Sequence, residues 1–319
     1  GDVYKRQYQN PWISEKIPWA FRTFVQIFVV IPEDNCYNNR KCQKIRQKYR
    51  KRAVRTSTHK SGKDKNMNQL EVLRESLGQC DEIILDALLM RNRIVEDIMV
   101  YKEANDLPVL QPEQEAKQKG WLEARMEGRR HKKEVNDVFA SITQNSKRIQ
   151  SRNLFNYNIF LIGFMGAGKS TISDYLKNAL AMDVVEMDQC IVERQGMSIS
   201  DIFETYGEEY FRELETNLLI EMQSQSNVVV SCGGGVPMRE RNVVEMKKNG
   251  RVVLLTAKPE TILERVKDNH DRPLLENNKT VPFIADLMEK RRAKYEAAAD
   301  IIIETDGKNE LEICEELVH

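Results

Sequence analysis

One stretch, Gly163-Phe164-Met165-Gly166-Ala167-Gly168-Lys169-Ser170-Thr171, constrains this chain more than any other. It has the spacing G-x-x-x-x-G-K-[ST]. A strand-like apolar run, Asn158–Ile162, leads into it and a helix-like run to about Ala181 follows. That context makes it a phosphate-binding P-loop. The glycines let the backbone turn tightly and aim its N–H groups at phosphate oxygens. Lys169 places a positive charge on the β- and γ-phosphates, and Ser170 offers its hydroxyl to Mg²⁺. Gly163, Gly166, Ala167, Gly168, Lys169, Ser170 and Thr171 are therefore the expected nucleotide contacts.

Four more strand-like runs follow: Val184–Met187, Val228–Ser231, Val252–Leu255 and Ile301–Glu304. Most are short and continuously apolar, as in strands buried on both faces of a parallel sheet. Their alternation with helical runs predicts an α/β three-layer domain with five parallel strands. Ser198-Ile199-Ser200-Asp201 reads as a helix start. Ligands in such folds gather at the carboxyl ends of strands. The P-loop follows the first strand, Glu186-Met187-Asp188 ends the second, and Gly233-Gly234-Gly235 follows the third, so all three are expected to face one cleft.

Residues 158–319 resemble shikimate kinase. The resemblance rests on the P-loop with Asp188, Phe211-Arg212, Gly233-Gly234-Gly235, Arg272-Pro273-Leu274, and Arg291 with Tyr295 four residues on. It implies that Asp188 binds shikimate hydroxyls and acts as base at the attacking oxygen. Arg212 and Arg291 pair with the shikimate carboxylate, a task suited to the guanidinium fork. The three glycines let backbone N–H groups approach the substrate. Arg272 rides on a lid, about residues 266–280, and closes over the transferring phosphoryl group. Arg265 stacks on adenine. ATP and Mg²⁺ are the implied cofactors, with Ser170 on the metal and Glu186 reaching it through water. Glu186 stands at the first acidic position of the usual D-x-D.

A different pattern precedes this domain. Leu70, Leu73, Leu77, Ile84, Leu88, Val95 and Ile98 recur at three-, four- and seven-residue steps. They predict one helix from about Asn68 to Glu103, on the order of 50 Å long. Asn105-Asp106-Leu107-Pro108 stops it. A second helix is expected after Pro112 and a third over about Lys133 to Arg152. A helix this long cannot bury its apolar stripe within so small a module, which points to an intertwined dimer. Arg91 and Lys102 share a face. Arg74 lies roughly 25 Å before Arg91 and about 100° round the helix, so one small ligand reaches both only on two antiparallel chains. Ser146 and Gln150 share a face at i, i+4.

Residues 67 to about 151 resemble the all-helical chorismate mutases. The series is Leu73-Arg74-Glu75, Arg91, Lys102, the Pro108-Val109 turn, Glu115, Phe139, Ser146 and Gln150. The resemblance implies a dimer with two shared active sites. Arg91 and Arg74 of the second chain hold the two carboxylates of chorismate. Lys102 and Gln150 donate to the ether oxygen as its bond breaks. Glu115 engages the ring hydroxyl, and Ser146 sits near the ring carboxylate. Gln111 stands where many members have Asp and Gln114 where many have Arg; Gln111 counts among the expected chorismate contacts. The rearrangement is pericyclic and needs no cofactor. The protein selects a compact conformer and stabilises charge developing on the ether oxygen.

The sequence thus divides into 1–66, a basic upstream segment; 67–152, the helical domain; 153–157, a linker; and 158–319, the kinase domain. Residues 1–66 show no sustained period and carry a basic run from Arg40 to Arg55, and the reading takes Met67 as the natural start. The alternative for that run is an arm binding nucleic acid or anionic lipid. Across 319 residues, 49 basic and 49 acidic residues cancel, so no global field favours nucleic acid. Six cysteines form no C-x-x-C pair, which favours a reducing cytosol. The longest apolar run, Phe24–Ile31, is too short to span a membrane. The expected partners are shikimate, chorismate and a second copy of the chain, with no nucleic acid and no membrane. Two rivals stand beside this reading: a kinase for another hydroxy acid such as gluconate, and a helical part that only dimerises.

Overall fold

Asn158 opens the first strand of the P-loop region, and a computed structural model shows why a polar residue stands there. It describes residues 68–267 and 280–318. The Asn158 side chain is fully buried. Its amide donates to the carbonyls of Met222 and Gln225 at 2.9 and 3.0 Å, and its oxygen accepts from the Val228 amide at 3.2 Å. One side chain thereby closes the loop that brings β3 (Val228–Ser231) alongside β1 (Asn158–Ile162).

The sheet has the order β2-β3-β1-β4-β5, with β2 at Asp183–Glu186, β4 at Gly250–Thr256 and β5 at Ile301–Glu304. All four pairings are parallel, as the alternation of runs requires. Successive residues of the central strands feed opposite faces. Ile159, Leu161, Val229, Val253 and Leu255 pack with α4 (Lys169–Leu180), α9 (Pro259–Val266) and α11 (Glu310–Val318). Phe160, Ile162, Val228, Val230, Val252 and Leu254 pack with α5 (Met187–Gln195), α6 (Ile199–Tyr206), α7 (Glu208–Glu221) and α8 (Glu240–Lys248). Helix α10 (Val281–Ala298) supplies Ile284 to the first face and Tyr295 and Ala298 to the second. This two-sided burial is the reason the strands read as unbroken apolar runs.

Ser198 and Asp201 form a reciprocal capping box that starts α6. The second strand ends at Glu186, one residue before the expected end. Met187 is fully buried as the first residue of α5, and the chain turns into that helix at once.

The chain divides into two compact units, residues 1–86 and 87–319. Helix α1 (Gln69–Ala104) begins in the first. Every described residue from 68 to 87 is exposed, including Leu70, Leu73, Leu77 and Ile84. In the second unit, α2 (Pro112–Met126) starts on a proline at its first turn, where a missing N–H costs nothing. Helix α3 (Lys132–Leu154) runs to within four residues of β1. Its end is tied down: Asn227 donates to the carbonyls of Ser151 and Phe155 at 2.9 and 3.0 Å, and Phe155 is buried in the first core face. No helix among the described residues is long and apolar enough to cross a membrane. The expectations for residues 1–66 and for Arg272 with most of its lid fall outside the described residues.

Asn158→Ala strands two carbonyls and an amide in a buried loop. It is expected to lower stability by about 3 kcal/mol or more. Urea denaturation followed by far-UV circular dichroism measures this; a loss below ~1 kcal/mol would contradict the role given to Asn158.

Candidate functional site

The P-loop lies where the motif places it, between β1 and α4. Gly163, Gly166 and Gly168 all have positive φ, at 144°, 80° and 100°. At Gly163 a Cβ would collide with the carbonyl of Leu255 on β4, so the loop fits against its neighbour only as backbone. The Lys169 ammonium folds back over the loop and donates to the carbonyls of Gly163 and Phe164 at 3.0 and 3.2 Å. Ser170 donates to Glu186 at 3.0 Å. Ser173, fully buried one turn on, donates to the other oxygen of Glu186 at 2.6 Å. The longer side chain of Glu186 is thus pinned from α4 by two hydroxyls.

A cavity of about 500 Å³ opens over this loop. Its walls include Gly166 to Thr171, Glu186, Asp188, Gly233, Gly234 and Arg265. The three strand ends therefore face one cleft. Arg265 donates to the Gly166 carbonyl at 3.2 Å and to the Thr305 hydroxyl at 3.1 Å. Thr305, Lys308, Glu310 and Ile313, after β5 and on α11, complete the wall.

Beyond Asp188 the glycine turn gathers a second set of charges. A Cβ on Gly233 would lie 2.7 Å from Asp188 Oδ1 and 3.0 Å from Glu215 Oε1. One on Gly235 would collide with the guanidinium of Arg212. On the other side Tyr295 donates to the Gly234 carbonyl at 2.7 Å, with Arg291 Nη1 donating to the same oxygen at 3.5 Å. Arg291 also lies over the ring of Phe164, a P-loop residue, 6.0 Å from its centre. Asp188, Arg212, the three glycines and Arg291 are thus brought together.

Glu215, which the motifs did not flag, sits under this cluster. It is 1% exposed and pairs with Arg212 at 2.9 Å; Arg212 also pairs with Glu208 at 2.8 Å. Burial is the largest influence on the Glu215 carboxyl and pushes it up from its ordinary 4.5 to about 7, against the pull of Arg212. The charge of Asp188 acts in the same direction as burial. Burial alone would lower Arg212, but Glu215 and Glu208 more than offset it, so the guanidinium is held charged.

The helical region brings together some of its expected residues. Arg91 donates to the Ser146 hydroxyl and, at 3.5 Å, to the Ile142 carbonyl. Lys102 is buried and donates to the Val109 carbonyl at 2.7 Å. Burial lowers the pKa of both cations. Glu115 pairs with Lys147 at 2.8 Å. Gln150 is half-buried on α3 near Ser146 in sequence, while Gln111 and Arg74 are exposed.

Comparison with known proteins bears on both regions. Residues 165–319 match the family model described as shikimate kinase, and residues 73–151 that described as chorismate mutase type II. A shikimate kinase of Dehalococcoides mccartyi is 42% identical over 160 residues, which is 50% of this chain and 90% of the relative. The chain belongs to the shikimate kinase family. A shikimate kinase of Persephonella marina is 43% identical over 161 residues, covering 96% of that relative. Among solved structures, the shikimate kinase from Acinetobacter baumannii in complex with shikimate is 33% identical. The match spans 51% of this chain and 90% of that one, with a TM-score of 0.48. Half of this chain lies outside its alignment with the two relatives from Dehalococcoides mccartyi and Persephonella marina. Membership of the family implies the use of ATP.

The Glu215 carboxyl makes stability depend on pH. Because folding raises its pKa, the folded chain binds more protons than the unfolded one between about pH 4.5 and 7. The contribution is full below 4.5 and is lost as pH climbs through 7. Urea midpoints at pH 5 and pH 8 are expected to fall more in wild type than in Glu215→Gln. Equal falls would show that this carboxyl ionises freely.

Proposed function

We propose that the chain phosphorylates shikimate with ATP at the strand-end cleft and rearranges chorismate to prephenate at the helical region. The observation that carries the first activity is the convergence of Asp188, Arg212 and Arg291 on the Gly233–Gly235 turn beside the P-loop cavity. A small acid with vicinal hydroxyls matches such a site. Its carboxylate lies between Arg212 and Arg291, where paired guanidinium groups suit a planar anion. Its reacting hydroxyl points at Asp188, which accepts the proton as the oxygen attacks. Lys169 supplies positive charge to the phosphate being transferred, and the work of the site is positioning and charge neutralisation. The Ser170 hydroxyl and the Glu186 carboxylate, two hard oxygen donors at the mouth of α4, fit Mg²⁺. When bound there, the ion offsets phosphate charge.

For the second activity, Arg91 and Ser146 are already joined across α1 and α3 and take one carboxylate of chorismate. Arg74 of a second copy takes the other. Lys102 and Gln150 stabilise the ether oxygen, and Glu115 meets the ring hydroxyl, releasing Lys147 to do so. The second copy is supported by the exposed apolar residues of α1. Leu73 and Leu77 are 60% and 62% exposed, more than a stable lone helix tolerates along one stripe. A cytosolic setting agrees with the free thiols of Cys80, Cys190, Cys232 and Cys314 among the described residues.

Assays of both reactions on the full chain test the reading. Lys169→Ala is expected to reduce shikimate phosphorylation at least ~100-fold and leave chorismate turnover intact. Arg91→Ala is expected to do the converse. Phosphate transfer to gluconate in preference to shikimate would overturn the kinase assignment, and wild type inert toward chorismate would leave the helical part a dimerisation module.

A shared site makes a second, independent prediction. Arg74→Ala and Arg91→Ala chains, each inactive as mutases, are unfolded together and refolded as a mixture. A mixed dimer holds one intact site, so part of the mutase activity returns. No recovery in a mixture that phosphorylates shikimate normally would refute a site built from two copies.

A further inference from the structure

The loop between α1 and α2 is held by the kinase region. The peptide group joining Val109 to Leu110 is clamped at both ends. Its carbonyl accepts from the Lys102 ammonium at 2.7 Å, and its N–H donates to Glu315 Oε1 on α11 at 2.8 Å. The Leu110 side chain is buried in the core face that contains Ile313 and Leu317 of the same helix. A peptide dipole lying between a cation and an anion is stabilised by both, and hydrogen bonds in such a chain polarise one another. Lys102, 7% exposed, has little water with which to replace these contacts.

We propose that Glu315 is a positioning residue for the mutase site: it fixes the Val109–Leu110 peptide, and that peptide sets where the Lys102 ammonium rests. The inference depends on the mutase reading above, in which Lys102 addresses the ether oxygen. Neither family resemblance assigns a part in chorismate chemistry to the kinase region.

Glu315 acts on Lys102 by charge as well as by geometry. Burial lowers the Lys102 pKa, and the Glu315 carboxylate works against that. Other titratable groups gather at the same corner. Glu115 of α2 and Lys147 of α3 are paired. Tyr175 of α4 lies within reach of Glu115 and of Cys314, Glu310 and Glu315 on α11. Among the described residues, Glu315 is the one whose charge raises Lys102.

Glu315→Gln keeps an acceptor for the Leu110 amide and removes the charge. Glu315→Leu removes both. Kinase activity, measured on every variant, reports folding. Glu315→Gln is expected to move the alkaline limb of the mutase pH profile to lower pH, because Lys102 then loses its proton earlier. Glu315→Leu is expected to lower mutase kcat/KM on the order of ten- to a hundredfold, as displaced catalytic groups do. Glu315→Asp, with charge restored, brings the limb back toward wild type. Selective labelling of lysine and NMR titration of Lys102 gives a readout free of turnover, in which the Lys102 pKa falls in Glu315→Gln. An unmoved Lys102 titration and pH profile in folded Glu315→Gln would overturn the proposal. A wild type that leaves chorismate untouched refutes the mutase reading instead, and the Lys102 titration alone then decides whether Glu315 holds this ammonium.

Discussion

Between β3 and the helix that follows, the backbone passes so close to its neighbours that a side chain at two of three consecutive positions would displace a charged group. Asp188 and Glu215 press on Gly233, and Arg212 presses on Gly235. From the far side Tyr295 and Arg291 reach the carbonyl between them. Four charged groups from three helices are thus fixed against one stretch of main chain. Contact with that main chain and the ion pairs between Arg212, Glu215 and Glu208 limit the rotamers these side chains adopt.

Glu215 shows how such a cluster is balanced. It neutralises Arg212 from below, yet its own burial holds its pKa near 7. A neutral Glu215 leaves Arg212 paired with Glu208 alone; an ionised one adds a second carboxylate to it. The net charge around Arg212 is therefore set partly by a buried carboxyl whose own protonation changes near pH 7. Across the molecule, α11 lines the nucleotide cavity with Glu310 and Ile313 and reaches the α1–α2 loop with Glu315. One helix thus borders both the P-loop cavity and the loop that Lys102 engages.

Much of this was legible in the sequence, for identifiable reasons. The P-loop, the capping box at Ser198 and the five strands are written in local patterns, because turn chemistry and two-sided burial act over a few residues. The long first helix was legible for the same reason. What escaped depends on contacts distant along the chain. Ser173 looks like any helix serine until β2 brings Glu186 to it, and Glu215 looks like a surface carboxylate until Gly233 leaves space for it. Thr305 and Lys308 reach the cleft only because β5 lies beside β4. The engagement of Lys102 with Val109 was likewise unreadable, since spacing gives the face of a helix and not the acceptor it finds.

The central claim is geometric: an acid and a nucleotide meet over one turn of glycine backbone. A crystal structure with shikimate and a non-hydrolysable ATP analogue bound together tests it most directly. The account predicts the carboxylate between Arg212 and Arg291, a ring hydroxyl on Asp188, and the terminal phosphate against Lys169. Shikimate bound clear of the Gly233–Gly235 turn, or its carboxylate met by neither arginine, would contradict it.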